Sequence, residues 1–308
     1  MNREFEQLEW NDRLIDDCRQ ILRLAVREDL DRGHDWTTVA LVPQPSEGAA
    51  DIVARQRGTI AGLPAVALLL EETNARIELT RHVEDGAGVD AGTRIATLRG
   101  STRDLLTCER IMLNLLGRLS GIATLASEYV AAVADYPARI YDTRKTTPGW
   151  RRLEKYATSR GGACNHRTGL FDGVLIKDNH LASYDSAGTS RTVGDAVLQA
   201  REFLRDSRGS QADPEMLVEV EVDRLEQLRE ALPAGPDIVL LDNMSLDDLR
   251  AAVAIRNELA ADVELEASGG VNLTTVASIA ATGVDRISVG GLTHAAVSLD
   301  VALDWALD

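Results

Sequence analysis

Residues 216–244 read MLVEVEVDRLEQLREALPAGPDIVLLDNM. Two largely apolar runs, Met216–Val222 and Ile238–Met244, flank a helical stretch from Arg224 to Leu232, so the segment reads strand, helix, strand. Near-continuous apolar strands joined by helices predict a parallel sheet covered on its outer face. Working outward, helices over Leu246–Leu259 and Leu273–Ala281 alternate with strands over Val263–Ser268 and Arg286–Gly290. Upstream, strands over Arg139–Lys145 and Gly173–Asn179 alternate with helices over Trp150–Ser159 and Val193–Asp206. From about residue 213 the units recur every 22 to 25 residues, a spacing that suits an α/β barrel better than an open sheet.

Strand after strand ends in polar groups: Asp142-Thr143-Arg144-Lys145, Lys177-Asp178-Asn179, Glu219-Val220-Glu221, Asp242-Asn243, Ser268-Gly269-Gly270 and Gly290-Gly291. In a parallel barrel these ends meet at one mouth, where chemistry sits. The mouth would gather Arg144, Lys145, His166, Arg167 and Lys177 opposite Glu221 and Asp242. Several cations around one cavity repel one another unless a polyanion fills it, which points to carboxylates, phosphates or both on the substrate. Glu221 and Asp242 suit Mg2+, which takes one or two carboxylates together with substrate phosphates. Gly269, Gly270, Gly290 and Gly291 on the last two strand ends let backbone N–H groups approach a phosphate, although a Gly pair also serves a plain turn.

The chain holds only three lysines, Lys145, Lys155 and Lys177, against thirty arginines, and all three fall between Asp142 and His180. A compact ammonium at two strand ends suits a point-charge task such as holding phosphate. Lys177 among so many charges is expected to act as an ion-pair partner rather than a Schiff-base amine. His166 near Cys164 makes poor grounds for a thiol nucleophile, and His34, His82 and His180 have no metal-ligand spacing. Arg151, Arg152, Lys155 and Arg160 are expected on a solvated helix face.

Before the barrel the chain is α+β. An amphipathic helix over residues 11–29, capped by Asn11 or Asp12, carries Leu14, Cys18, Ile21, Leu22 and Ala25 at helical spacing. Short strands are expected over Asp51–Arg57, Arg76–Val83 and Thr93–Leu98, with a helix over Leu63–Glu72. DGAGVDAGTRIATLRG resembles the hairpin of a lipoyl-type or biotinyl-type sandwich, but no lysine is there to modify, so it is expected to form tight turns between strands. A long apolar helix over Thr107–Val133, interrupted by Gly117 and Gly121, would bridge the domains.

The composition is that of a globular protein, with 44% hydrophobic and 27% charged residues. Three widely spaced cysteines in no CxxC pair, and no apolar run long enough to span a bilayer, predict free thiols, a cytoplasmic location and no membrane partner. The formal net charge of -16 argues against a nucleic-acid partner. Such acidity fits a salt-loving cytoplasm or, equally, a codon bias towards Arg and Asp.

DTRKTTPG, GGACNHRTGL, VLIKDNHL, EVEVDRLEQL, LLDNM, ASGGVN and SVGGLTH, in this order, closely resemble quinolinate phosphoribosyltransferases, and the likeness extends over nearly the whole chain. The resemblance implies an incomplete parallel α/β barrel of type II phosphoribosyltransferase kind with an N-terminal α+β sandwich domain. The division it suggests is residues 1–115, 116–290, and a C-terminal helix over 291–308 packing back on the N-terminal domain. It implies quinolinate and phosphoribosyl pyrophosphate as substrates, Mg2+ as cofactor, and a homodimer in which Arg110 reaches across the interface. Arg144, His166 and Arg167 would then bind the pyridine carboxylates, Lys145 and Lys177 the anionic substrates between them, Glu221 and Asp242 the ribose and metal, and Ser268, Gly269, Gly270, Gly290 and Gly291 the phosphate. Trp150 stands where relatives are expected to have Leu. A paralogous enzyme for another aromatic acid and an inactive phosphate-binding barrel remain open alternatives, as does closure of the loop Asp185–Thr192 over the mouth.

Overall fold

The structure, a computed structural model, describes residues 4–185, 192–206 and 215–305. The interior of the loop named as a candidate for closing over the mouth lies outside the described residues. The chain divides into two compact units, each built from separated segments. The first comprises Met1–Gln7, Glu128–Arg144 and Ala163–Gly290; the second comprises Leu8–Ser127, Lys145–Gly162 and Gly291–Asp308.

In the first unit, six strands form one parallel sheet. Their spatial order is Arg139–Tyr141, Arg286–Ser288, Glu264–Ser268, Ile238–Asp242, Val218–Val222 and Val174–Ile176. The outermost two, Arg139–Tyr141 and Val174–Ile176, are not paired to each other, so the sheet is an incomplete barrel. Helices Val193–Asp206, Leu225–Ala231, Leu246–Leu259 and Val276–Ala280 alternate with the strands. The strand expected to run to Asn179 stops at Ile176, and a helix starts at Asp178. His180 explains the turn: its Nδ1 accepts the Lys177 N–H at 3.0 Å while its own N–H donates to the Lys177 carbonyl at 2.9 Å.

The N-terminal residues close the lower end of this unit. Phe5 is buried with Leu217 and Ile238, before or at the start of two neighbouring strands. Glu4 accepts from the Tyr141 hydroxyl at 3.0 Å and pairs with Arg139 and with the fully buried Arg286. Arg286 also pairs with Glu264, which lies 3.1 Å from Arg139. A buried cation with two carboxylates and the face of Tyr141, 4.5 Å away, is compensated, which is the condition for tolerating it.

The second unit is a sandwich of a different kind. Strands Val301–Trp305, Glu47–Ala54, Arg94–Ser101 and Ile77–Arg81 form an antiparallel sheet in that order. Its apolar side chains share one core with Leu14, Cys18 and Leu22 of helix Asp12–Leu30 and with helix Leu63–Glu72. Asn11 caps the first helix, its side chain accepting the Leu14 N–H, as the sequence indicates.

Three expectations about this part are corrected. The division falls not at 115 but between Ser127 and Glu128, near the end of helix Thr102–Ala132. Gly117 and Gly121 are points of close approach: a Cβ at Gly121 would lie 2.0 Å from the Val297 carbonyl oxygen, and one at Gly117 2.9 Å from that of Leu299. The expected C-terminal helix is instead a short helix, Gly291–His294, followed by the strand Val301–Trp305. Antiparallel pairing with Glu47–Ala54 satisfies that edge, and Val301, Leu303 and Trp305 pack on the core. The helix Arg151–Arg160 is no solvated face either. Lys155 is fully buried, Arg152 lies 2.6 Å from Asp17, and Arg160 lies over the Tyr156 ring and 2.7 Å from Glu9.

Candidate active site

Parallel pairing places the carboxyl ends of the six strands on one edge of the first unit. Arg144 follows the strand Arg139–Tyr141, Lys177 follows Val174–Ile176, and Glu221 and Asp242 sit near or at the ends of theirs. Ser268 closes its strand directly beside Asp242 in register, and Gly290 follows Arg286–Ser288. Lys145 and Gly291 continue these segments but belong to the second unit, as does Arg110, which is exposed on helix Thr102–Ala132.

The loop carrying His166 and Arg167 is held from below. Fully buried Asp142 accepts the His166 N–H at 2.8 Å and the Asn165 side-chain amide at 2.7 Å, while Asn165 N–H donates to Gln7 at 2.7 Å. Arg167 is buried, with Nη1 donating to the Gly173 carbonyl at 3.2 Å. Burial, and then the like charge of Arg144, hold the Arg167 guanidinium below its ordinary basicity, partly offset by Glu219 and Asp172. Arg144 in turn has a buried Nε with no acceptor among the described residues. A buried donor left unmatched costs about 1–3 kcal/mol. Two neighbouring guanidiniums, one with an orphaned donor, are therefore arranged for an anion.

His166 is placed differently from what the resemblance implies. Its Nδ1 lies 2.9 Å from the Arg167 backbone nitrogen, and its Nε2 faces Glu219 at 3.0 Å and Glu266 at 3.5 Å. Phe5 stacks on the ring with centroids 4.6 Å apart. Burial works against a charged imidazole, but Glu219 and then Glu266 reverse it and raise the pKa to about 10. The carboxylates diverge in their turn. Burial pushes Glu219 up, whereas Glu266, against the same penalty, is held below the ordinary range by His166, Arg286 and Ser288. The three residues offer donor atoms within 4.8 Å of one another, a spacing that could hold a metal ion. With Nε2 against two carboxylates the ring is held as a cation, an ion-pair partner of the acids rather than a metal ligand.

At the rim, Lys177 Nζ pairs with Glu221. This is the ion-pair role expected over a Schiff base. Asp242 accepts from the Asn243 side chain at 2.9 Å. Glu221 and Asp242 stand on adjacent strands and offer only oxygen, a donor set that fits Mg2+ completed by substrate phosphates. The Ser268-Gly269-Gly270 turn is built on glycine: φ is 95° at Gly269 and 61° at Gly270, and a Cβ at Gly269 would meet Asn243 Oδ1 at 2.1 Å.

Residues that sequence reading passed over lie beneath this rim. Glu264, Glu266 and Ser268 alternate along one strand, as Glu219 and Glu221 do along another, so each strand carries acids at depths below its functional end. The signal was present as period-two acids inside apolar runs, VEVEV and ELEAS.

Residues 35–120 match the profile of the quinolinate phosphoribosyl transferase N-terminal domain, and residues 122–304 that of the C-terminal domain. The chain is 43% identical over 292 residues to a carboxylating nicotinate-nucleotide pyrophosphorylase of Mycobacterium leprae, covering 94% of this chain and 98% of that protein. It is 35% identical over 302 residues to a mitochondrial decarboxylating quinolinate phosphoribosyltransferase of Nicotiana tabacum, covering 93% and 82%. Among solved structures, the nicotinate-nucleotide pyrophosphorylase from Francisella tularensis superposes with a TM-score of 0.85 at 32% identity, over 99% of this chain and 100% of that one.

Proposed function

The chain belongs to the quinolinate phosphoribosyltransferase family, and from that premise we infer which of its residues serve the reaction. It is an enzyme that transfers phosphoribosyl from phosphoribosyl pyrophosphate to quinolinate with decarboxylation, giving nicotinate mononucleotide, pyrophosphate and CO2 in NAD biosynthesis.

The observation that supports the site reading most is the Arg144–Arg167 pair with its unmatched Nε. Quinolinate, with two carboxylates on adjacent ring carbons, is a dianion that relieves both the repulsion and the orphaned donor. His166 serves from beneath: its contact with the Arg167 backbone and with two buried acids fixes the loop that presents the guanidinium. The pyridine nitrogen is the nucleophile and needs positioning rather than a base. As its bond to the ribosyl carbon forms and pyrophosphate departs, positive charge grows on the sugar, and Glu221 and Asp242 supply the opposing charge. Lys145 neutralises the departing pyrophosphate, while Lys177, released from Glu221, meets the anionic substrates. Ser268, Gly269, Gly270, Gly290 and Gly291 receive the ribosyl phosphate on backbone N–H groups. When the carboxylate beside nitrogen then leaves as CO2, the electron pair of the broken C–C bond stays on the ring carbon, stabilised by the adjacent cationic nitrogen, and takes a proton from water to form the C–H bond.

Mg2+ bound by Glu221 and Asp242 would add charge neutralisation at the pyrophosphate. We assign the enzyme to the cytoplasm as a homodimer, with exposed Arg110 entering the partner's site. Among the described residues no helix is long and apolar enough to cross a membrane.

The test is formation of nicotinate mononucleotide from quinolinate and phosphoribosyl pyrophosphate with Mg2+, with nicotinate as the competing acid. Quinolinate alone should be consumed. Consumption of nicotinate with quinolinate untouched would transfer the chain to the paralogous reading.

A further inference from the structure

Lys145 owes its setting to a network that the reading above does not use. Glu154 is fully buried at the start of helix Arg151–Arg160, and its two oxygens receive four hydrogen bonds. Thr147 donates to it through its N–H at 3.1 Å and its hydroxyl at 2.8 Å. Arg118 donates through Nε at 3.2 Å and Nη2 at 2.6 Å. The same guanidinium reaches the carbonyls of Ala296 at 2.9 Å and Thr293 at 2.7 Å. Fully buried Thr293 closes the ring, its hydroxyl donating to the Lys145 carbonyl at 2.7 Å. The peptide segment from Lys145 to Thr147 is thus held at both ends, and both holds converge on one ion pair.

We propose that Arg118 and Glu154 are positioning residues for Lys145, with Thr293 as the link that fixes its backbone. A lysine side chain has four rotatable bonds, so its ammonium is placed only as well as its backbone is. A two-point clamp on the carbonyl of Lys145 and the N–H of Thr147 removes the peptide rotations that would swing the stem. Through Arg118 the clamp ties three distant segments of the second unit, residues 102–127, 145–160 and 291–296, to one carboxylate. This rests on the assignment of Lys145 to the pyrophosphate of phosphoribosyl pyrophosphate.

The ion pair could serve stability alone, and a double-mutant cycle separates the two roles. Thr293→Val keeps the side-chain shape and removes only the hydroxyl. It should lower kcat and weaken phosphoribosyl pyrophosphate binding by calorimetry about tenfold each, with the quinolinate KM within about twofold of parental. Thr293→Ser should restore both. In a Lys145→Ala background, Thr293→Val should have no further effect on binding, because the group it positions is gone. Glu154→Gln, if it folds, should show the same loss and the same dependence on Lys145. Parental kcat and affinity in Thr293→Val would overturn the proposal, as would equal losses with and without Lys145. The binding arm reads the clamp independently of turnover: a parent chain that binds phosphoribosyl pyrophosphate but forms no product overturns the assigned reaction, not the clamp.

Discussion

The two compact units bury opposite chemistries. In the second, helices Asp12–Leu30 and Leu63–Glu72 and the antiparallel sheet enclose a continuous aliphatic core around Leu14, Leu22, Ile52, Leu69 and Leu98. In the first, the strands turn charge inward in layers: Glu4, Arg139, Glu264 and Arg286 below, His166, Glu219 and Glu266 in the middle, and Lys177 with Glu221 at the rim. Burying ions is costly unless each is paired, and an apolar filling of equal volume is often no less stable. On the site reading proposed above, the first unit carries its charges to support cations that face an anionic substrate. The second unit is where area burial makes the larger stabilising contribution.

The largest test of that contrast removes one ion from the lowest layer. Arg286→Ala leaves Glu4 and Glu264 to share Arg139 alone and should cost about 3–5 kcal/mol in urea unfolding. A loss below about 1 kcal/mol would mean the charged layer is solvated and the comparison fails. As a reference, Leu98→Ala should cost about 2–5 kcal/mol through its cavity while leaving catalysis intact.

At the rim the sign reverses. Arg144→Ala should reduce quinolinate turnover by about 10² to 10³-fold, with no loss of stability, since it also relieves the repulsion on Arg167. A parallel drop in stability would show that Arg144 is structural.

A pH series probes the middle layer. His166 keeps its proton to about 10 in the fold against an ordinary value of 6.5. A raised pKa makes its contribution complete below pH 6.5, and that contribution is lost as pH climbs towards about 10. On the order of a few kcal/mol should disappear across this window, and His166→Phe should flatten the curve. An unchanged slope in that variant would place the dependence elsewhere.

The smallest expected effect is that of salt. With a net charge of -16 spread over the chain, raising salt from low to multimolar should raise the melting temperature by on the order of a few degrees through screened self-repulsion. The compensated inner charges should respond least. A melting temperature that falls with salt would favour codon bias over salt adaptation as the origin of the acidity.

Much of the fold was readable because local signals agreed. Val193–Asp206, Leu246–Leu259 and Leu63–Glu72 form helices with the expected ends, and all six barrel strands lie inside the expected runs. The C-terminal strand was missed because Val-Ala-Leu-Asp-Trp is short and compatible with either period, so the unpaired edge of Glu47–Ala54 decided it. Lys155 and its neighbours were misjudged because charge was counted without the apolar stems that carry it into a core.

The amino-acid sequence alone determined the alternation of strands and helices, the family, and the side chains at the strand ends, because each is written in local periodicity or in contiguous motifs. Tertiary structure alone decided that His166 meets Glu219 and Glu266, that Arg144 comes beside Arg167 with an unmatched donor, and that Glu154 gathers Thr147 and Arg118. Apart from Thr147 with Glu154, those contacts join residues far apart in the chain, and whether a charge there is paired, orphaned or buried depends on what the other segments bring opposite it.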